Sequence, residues 1–189
     1  MAPINQHGSE LSIPLPSEET VGELIGEAYD PSKTLNVIKM FAGTGDMFPA
    51  TIGFVKALFQ TAGIDPKTRE IIALRCAKVL NCRYEWLANA VLAKNAGLLP
   101  EEIDAAPNSG PVTGIDSEYV LLCNATDELS TTGALTDETL SEMLSRFDET
   151  TCRKYVLMIS WFNLLSRFLN GCRVPLETSD KIGGNTLPI

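Results

Sequence analysis

Apolar residues recur at three-to-four spacing through most of this chain, in runs that open on helix-capping residues and close on glycine or proline. No stretch alternates polar and apolar residues over a convincing strand length, so the pattern predicts an all-α fold, a helical bundle of about eight or nine helices. Ser17 and the acidic residues after it mark the start of a short helix that fails near Tyr29 to Pro31. Ser32 is placed to cap a helix over 34–41, which the glycine-rich run from Ala42 to Asp46 should break. A helix with one apolar face follows over 48–61. Asp65-Pro66 then starts another, to Val79, because the carboxylate accepts from an orphan backbone N–H while proline pre-sets a helical φ. The next helix runs from Cys82 to Gly97, a natural left-handed C-cap, and Pro100 opens a short acidic turn of helix. After a loop over 107–114, Asp116 and Thr136 cap two further helices, and 151–170 forms a long apolar helix closed by Gly171.

At 189 residues the chain is long enough for one sizeable core and short for two. One domain over 17–177 is expected, with a loose arm over 1–16 and an irregular tail over 178–189. A formal net charge of −9, with no stripe of lysine or arginine to offset it, argues against a nucleic-acid partner. No apolar run is long enough to span a membrane and the first residues lack a secretory pattern, so a cytoplasmic protein with no membrane partner is expected. The five cysteines are odd in number and mostly fall in apolar helical stretches, which predicts reduced thiols rather than a disulfide framework. The single histidine, His7, sits in the arm, so histidine-based triads and His-rich zinc sites have no material.

Two ordered segments carry a family resemblance. The stretch Thr68 to Arg75, running into Asn81-Cys82-Arg83-Tyr84-Glu85-Trp86 and Ala93 to Gly97, resembles the core of carboxymuconolactone decarboxylase-like proteins. Asp127-Glu128-Leu129, Thr136 to Thr139 and Phe162 to Asn170 resemble the C-terminal half of the same family. The resemblance covers roughly 35–177. It implies a helical bundle of the alkyl hydroperoxidase D-like type, commonly a symmetric homo-oligomer (dimer, trimer or hexamer), with a site between the two central helices. In the hydroperoxidase branch that site is a Cys-x-x-Cys followed by a histidine, with an upstream glutamate. Here Glu70 matches the glutamate and Cys82 the first cysteine, but Glu85 replaces the second cysteine and Asn89 the histidine.

Cys82, Glu85 and Asn89, at i, i+3 and i+7, share one helix face, and Glu70 on the preceding antiparallel helix is placed to face them. A carboxylate among apolar neighbours has a raised pKa, suited to proton exchange near neutral pH, so Glu85 is the first candidate for acid/base work. Glu70 either shares that role or pairs with Arg69 or Arg75. Asn89 is suited to polarising a carbonyl or an enolate but cannot shuttle a proton. Cys82, like most free cysteines, reads more simply as a small buried hydrophobe than as a nucleophile. Phe41, Met47, Phe48, Tyr84 and Trp86 are the expected substrate lining. Arg167 is available either to a substrate carboxylate or to Asp127 and Glu128.

The leading expectation is a lyase or cyclase acting on a small carbonyl- or lactone-containing substrate by decarboxylation, dehydration or cyclisation, as in biosynthesis. No cofactor is expected, and Glu70, Glu85 and Asp46 show no spacing that singles out a metal ion. One alternative is a thiol-dependent hydroperoxide reductase, which lacks its resolving thiol because Glu85 stands there. The other is a non-catalytic oligomeric binding protein.

Overall fold

The computed structural model describes residues 11–177 and 181–182, so His7 and most of the tail lie outside the described residues. The helices are α1 (Glu18–Ile25), α2 (Asn36–Ala42), α3 (Phe48–Gln60), α4 (Pro66–Val79), α5 (Arg83–Ala96), α6 (Pro100–Ala105), α7 (Ser117–Thr131), α8 (Asp137–Arg146) and α9 (Glu149–Cys172). Single 3-10 turns occupy Gly26–Ala28 and Gly45–Met47, and no strand occurs among the described residues. The all-α expectation therefore holds. None of the described helices is long and apolar enough to cross a membrane.

The best-read starts are those where a side chain caps the backbone. Asp65 accepts from Lys67 N at 2.8 Å with Pro66 in the first turn of α4, and Thr136 accepts from Thr139 N at 3.2 Å at the start of α8. Gly97 closes α5 at φ 89°, a left-handed conformation that glycine adopts without a Cβ clash.

Three expectations fail for local reasons. Ser32 does not cap α2, because the Asp30 carboxylate claims both its N–H and its hydroxyl, at 2.9 and 2.6 Å; α2 begins after Leu35 without a side-chain cap. The last helix begins two residues earlier than expected, since Asp148 accepts from both Thr150 N and Thr151 N. It also runs through Gly171 and ends where Arg173 turns left-handed at φ 53°. The described part of the arm bonds to the end of the last helix. Ile13 N donates to Cys172 O at 3.0 Å, and Arg173 donates to Leu11 O at 3.1 Å, tying residues 11–13 to the end of α9.

Helix α4 is the axis of the molecule. Every residue from Glu70 to Ala77 is buried, and the helix packs against α5, α7 and α9. Its two sides feed separate apolar clusters. Ile72, Ala73 and Cys76 join the larger one with α2, α3, α7 and α9, whereas Ile71 and Leu74 join a smaller one built with α6, Val112 and Cys123. A helix apolar on nearly all sides makes its buried polar residues, Glu70 and Arg75, informative.

Candidate active site

The turn from α4 into α5 sets the site. Asn81 is left-handed at φ 52°, which reverses the chain so that Cys82 N donates to Ala77 O at 2.8 Å and Cys82 becomes the residue before α5. Glu85 and Asn89 then project from successive turns of α5, buried against α9. Opposite them, Phe162, Ser166 and Leu169 fall on the buried stripe of α9.

Glu85 is 1% exposed. The Ser166 hydroxyl donates to its Oε2, and its Oε1 has no partner. Burial holds this carboxyl well above the usual carboxylate range; the Ser166 hydrogen bond opposes that shift, and the nearby Glu70 carboxyl reinforces it. Glu85 therefore holds its proton to higher pH than an exposed carboxyl does. Burial, first, and then Glu85 push the Cys82 thiol up to about 12, against a lowering influence from Ser166. A thiol of that kind is almost wholly protonated at neutral pH and is a poor nucleophile. Asn89 donates from Nδ2 to Glu85 O at 2.8 Å, which orients its amide and leaves a second N–H and the Oδ1 for other use.

Glu70 is fully buried, and its Oε1 accepts from Arg69 Nε at 2.9 Å while Oε2 is unpartnered. Burial raises its carboxyl to about 7 against the pull of Arg69. A carboxyl at about 7 when folded and 4.5 when free corresponds to about 3 kcal/mol. The folded state binds the extra proton, so this contribution is complete below 4.5 and is lost as pH rises through 7. Glu85 acts in the same direction. Urea denaturation should therefore give a lower unfolding free energy at pH 8 than at pH 5, with Glu70→Gln removing much of the difference. A variant with the slope of the parent protein would refute this assignment.

An apolar cavity of about 60 Å³ lies beside Glu85. Glu85, Asn89, Tyr84 and Phe41 line it, together with Leu35, Val37, Phe59, Trp161, Phe162, Leu165 and Ile182. Tyr84 is held by the chain itself. Its hydroxyl donates to Glu177 Oε1 at 2.6 Å and accepts from Val37 N at 3.1 Å, and burial keeps it a neutral phenol.

The remaining expected residues lie elsewhere. Glu70 and Cys82 are buried beside Glu85 but do not line the cavity. Trp86 points to the other side of α5 and packs on the smaller cluster. Met47 is 64% exposed, because the 3-10 turn at Gly45 swings it outward. Phe48 is buried and lines a separate groove with Leu24, Pro49 and Ile52. Arg167 folds back on its own helix to Asn163 O and Oδ1, at 3.4 and 3.1 Å, while Asp127 is taken by Arg75 and Glu128 by Thr136 and Thr139.

The sequence reading missed Ser166 and Glu177. Ser166 carried a signal, since a serine inside the long apolar stripe of α9 needs a buried partner. Glu177 carried none, because only the fold brings it across to Tyr84.

Residues 45–117 match the model of the carboxymuconolactone decarboxylase family, a span that holds α3 to α6 and the turn carrying Cys82 and Glu85. No curated protein matches the chain significantly. Among solved structures, the chain is similar to an uncharacterized peroxidase-related protein from Silicibacter sp. TM1040. The TM-score is 0.70 at 16% identity, covering 98% of each chain. That likeness is one of fold.

Proposed function

We propose, from the match of residues 45–117, which hold Glu85, to the carboxymuconolactone decarboxylase family model, that the protein is a proton-transfer enzyme acting on a small, mainly apolar carbonyl or lactone compound. The observation that carries this reading is the Glu85 carboxyl, buried in the wall of an apolar cavity with one oxygen uncommitted and its pKa raised by that burial. In a decarboxylation, the bond to the departing carboxylate breaks and its electron pair passes into an enolate. Glu85 delivers its proton to that enolate and recovers one from solvent afterwards. The spare amide N–H of Asn89 stabilises the enolate oxygen, and Ser166 steadies the Glu85 carboxylate left behind. Dehydration and cyclisation of such compounds use the same donor.

At about 60 Å³ the cavity is smaller than most small-molecule sites, which begin at roughly 300 Å³, so substrate enters by displacing lining side chains. Hydroperoxide reduction is disfavoured by the high Cys82 pKa and by the glutamate at position 85. The test is a panel of small β-keto acids and carboxylactones in deuterated water, followed by NMR. Turnover should release CO2 and leave one solvent deuterium on the carbon that lost it. Binding of the panel without turnover of any member would make the chain a binding protein instead.

A further inference from the structure

Among the described residues four buried side-chain polar atoms lack a hydrogen-bond partner: Tyr29 Oη, Glu70 Oε2, Glu85 Oε1 and Trp161 Nε1. Two of the four belong to residues that line one cavity, Glu85 from α5 and Trp161 from α9. An indole N–H has one use, as a donor, and a buried donor without an acceptor is rare in a folded protein. The Asn89 amide on the same cavity has a second N–H to give. The Trp161 N–H is occluded at rest, so a ligand that displaces the lining meets two donors there, a match for the two lone pairs of a single carbonyl oxygen.

We propose that Trp161 is a specificity-determining residue, its indole N–H joining the spare N–H of Asn89 in binding the oxygen of one carbonyl group and leaving the Glu85 proton for the carbon. The ligand class is then a compact ketone, ester or lactone with apolar flanks. Hydrocarbons of the same shape leave both donors unmet and are discriminated against. The inference rests on the reading of the cavity as a carbonyl site, and it adds the residue that selects the functional group. Packing holds the indole in place: Phe54 meets it edge-on at 5.2 Å between centroids, and Phe41 lies at 6.2 Å. Those ring contacts need no N–H, so phenylalanine at 161 keeps most of the packing and removes the donor.

The probes are cyclobutanone and its hydrocarbon analogue methylenecyclobutane, titrated into the full chain labelled with nitrogen-15 on its indoles. Trp86 and Trp161 are the only tryptophans, so Trp86→Phe assigns the two signals. Cyclobutanone should move the Trp161 N–H proton downfield, and methylenecyclobutane should not. Trp161→Phe should weaken cyclobutanone about tenfold, the effect of one neutral hydrogen bond, and leave the hydrocarbon unchanged. An unmoved indole signal at saturating ketone, no ketone binding by the parent protein, or equal weakening of both probes by Trp161→Phe would each overturn the proposal. Turnover of β-keto acids with an unresponsive indole removes this inference and spares the proposed reaction. A responsive indole without turnover does the reverse.

Discussion

Glu85→Gln should lower kcat for the β-keto acid or lactone substrate by about a hundred- to ten-thousand-fold, the range that a positioned general acid contributes. Glutamine keeps the shape of the side chain and an oxygen for the Ser166 hydroxyl, so packing of α5 on α9 is preserved and only the transferable proton is lost. Stability is expected to hold or to rise at pH 8, because the parent protein must keep a carboxyl neutral in that place and the variant need not. In the parent protein the rate should fall as pH rises through the elevated Glu85 pKa, since the acid form is the active one. The variant should lose that limb of the profile. Steady-state kinetics across pH on both proteins decide it. A variant within a few-fold of the parent rate would shift the role from proton donation to placing the substrate, where geometry alone supplies the acceleration.

The fold was legible because its helices announce themselves locally. Asp65-Pro66, Thr136 and Gly97 each satisfy or release a backbone group within a few residues, so neighbouring sequence suffices. Where an outcome turned on competition between local partners, as at Ser32 and Asp148, the boundary moved. The site was legible only along one helix. Glu85 and Asn89 share a face by spacing, which is local geometry, whereas Ser166 and Glu177 reach the site from 81 and 93 residues away, bonding Glu85 and Tyr84. Nor does local spacing say which way a side chain points at a turn. Trp86, one position past Glu85, faces the opposite cluster, and Met47 is carried outward by the backbone at Gly45. The charge partners were the least legible part. Arginine and carboxylate are complementary at many separations, and the choice of Arg75 over Arg167 for Asp127 is settled by where α4 lies, between α7 and α9.

That choice leads to the largest expected effect on stability. Arg75 is 3% exposed, and all five of its N–H donors are used: Nε and Nη2 on the two oxygens of Asp127 at 2.6 Å each, Nη1 on Ala106 O and Asn108 O at 2.9 and 2.8 Å, and Nη2 again on Gly110 O at 2.8 Å. One side chain thus ties α4 to α7 and donates to three carbonyls of the 106–110 loop, where helix α6 has ended and its ladder no longer supplies N–H donors. Removing it leaves the part-buried Asp127 carboxylate, the buried Ala106 carbonyl and two carbonyls nearer the surface unmet at once. Arg75→Ala should therefore cost about 3 kcal/mol, the low end for breaking a buried pair because Asp127 keeps some contact with solvent, and depress Tm by roughly 10 °C. Arg75→Lys should recover only part of this, since an ammonium on a flexible stem presents three donors and no planar fork. Urea denaturation gives the free energies, and hydrogen exchange along 106–114 should accelerate even where the variant remains folded. Asp127→Asn keeps an acceptor for the guanidinium and leaves the loop carbonyls bonded, so it should cost clearly less than Arg75→Ala. Equal costs would place the whole effect in the ion pair and none in the loop; a loss under 1 kcal/mol for Arg75→Ala would mean that water replaces the arginine without penalty.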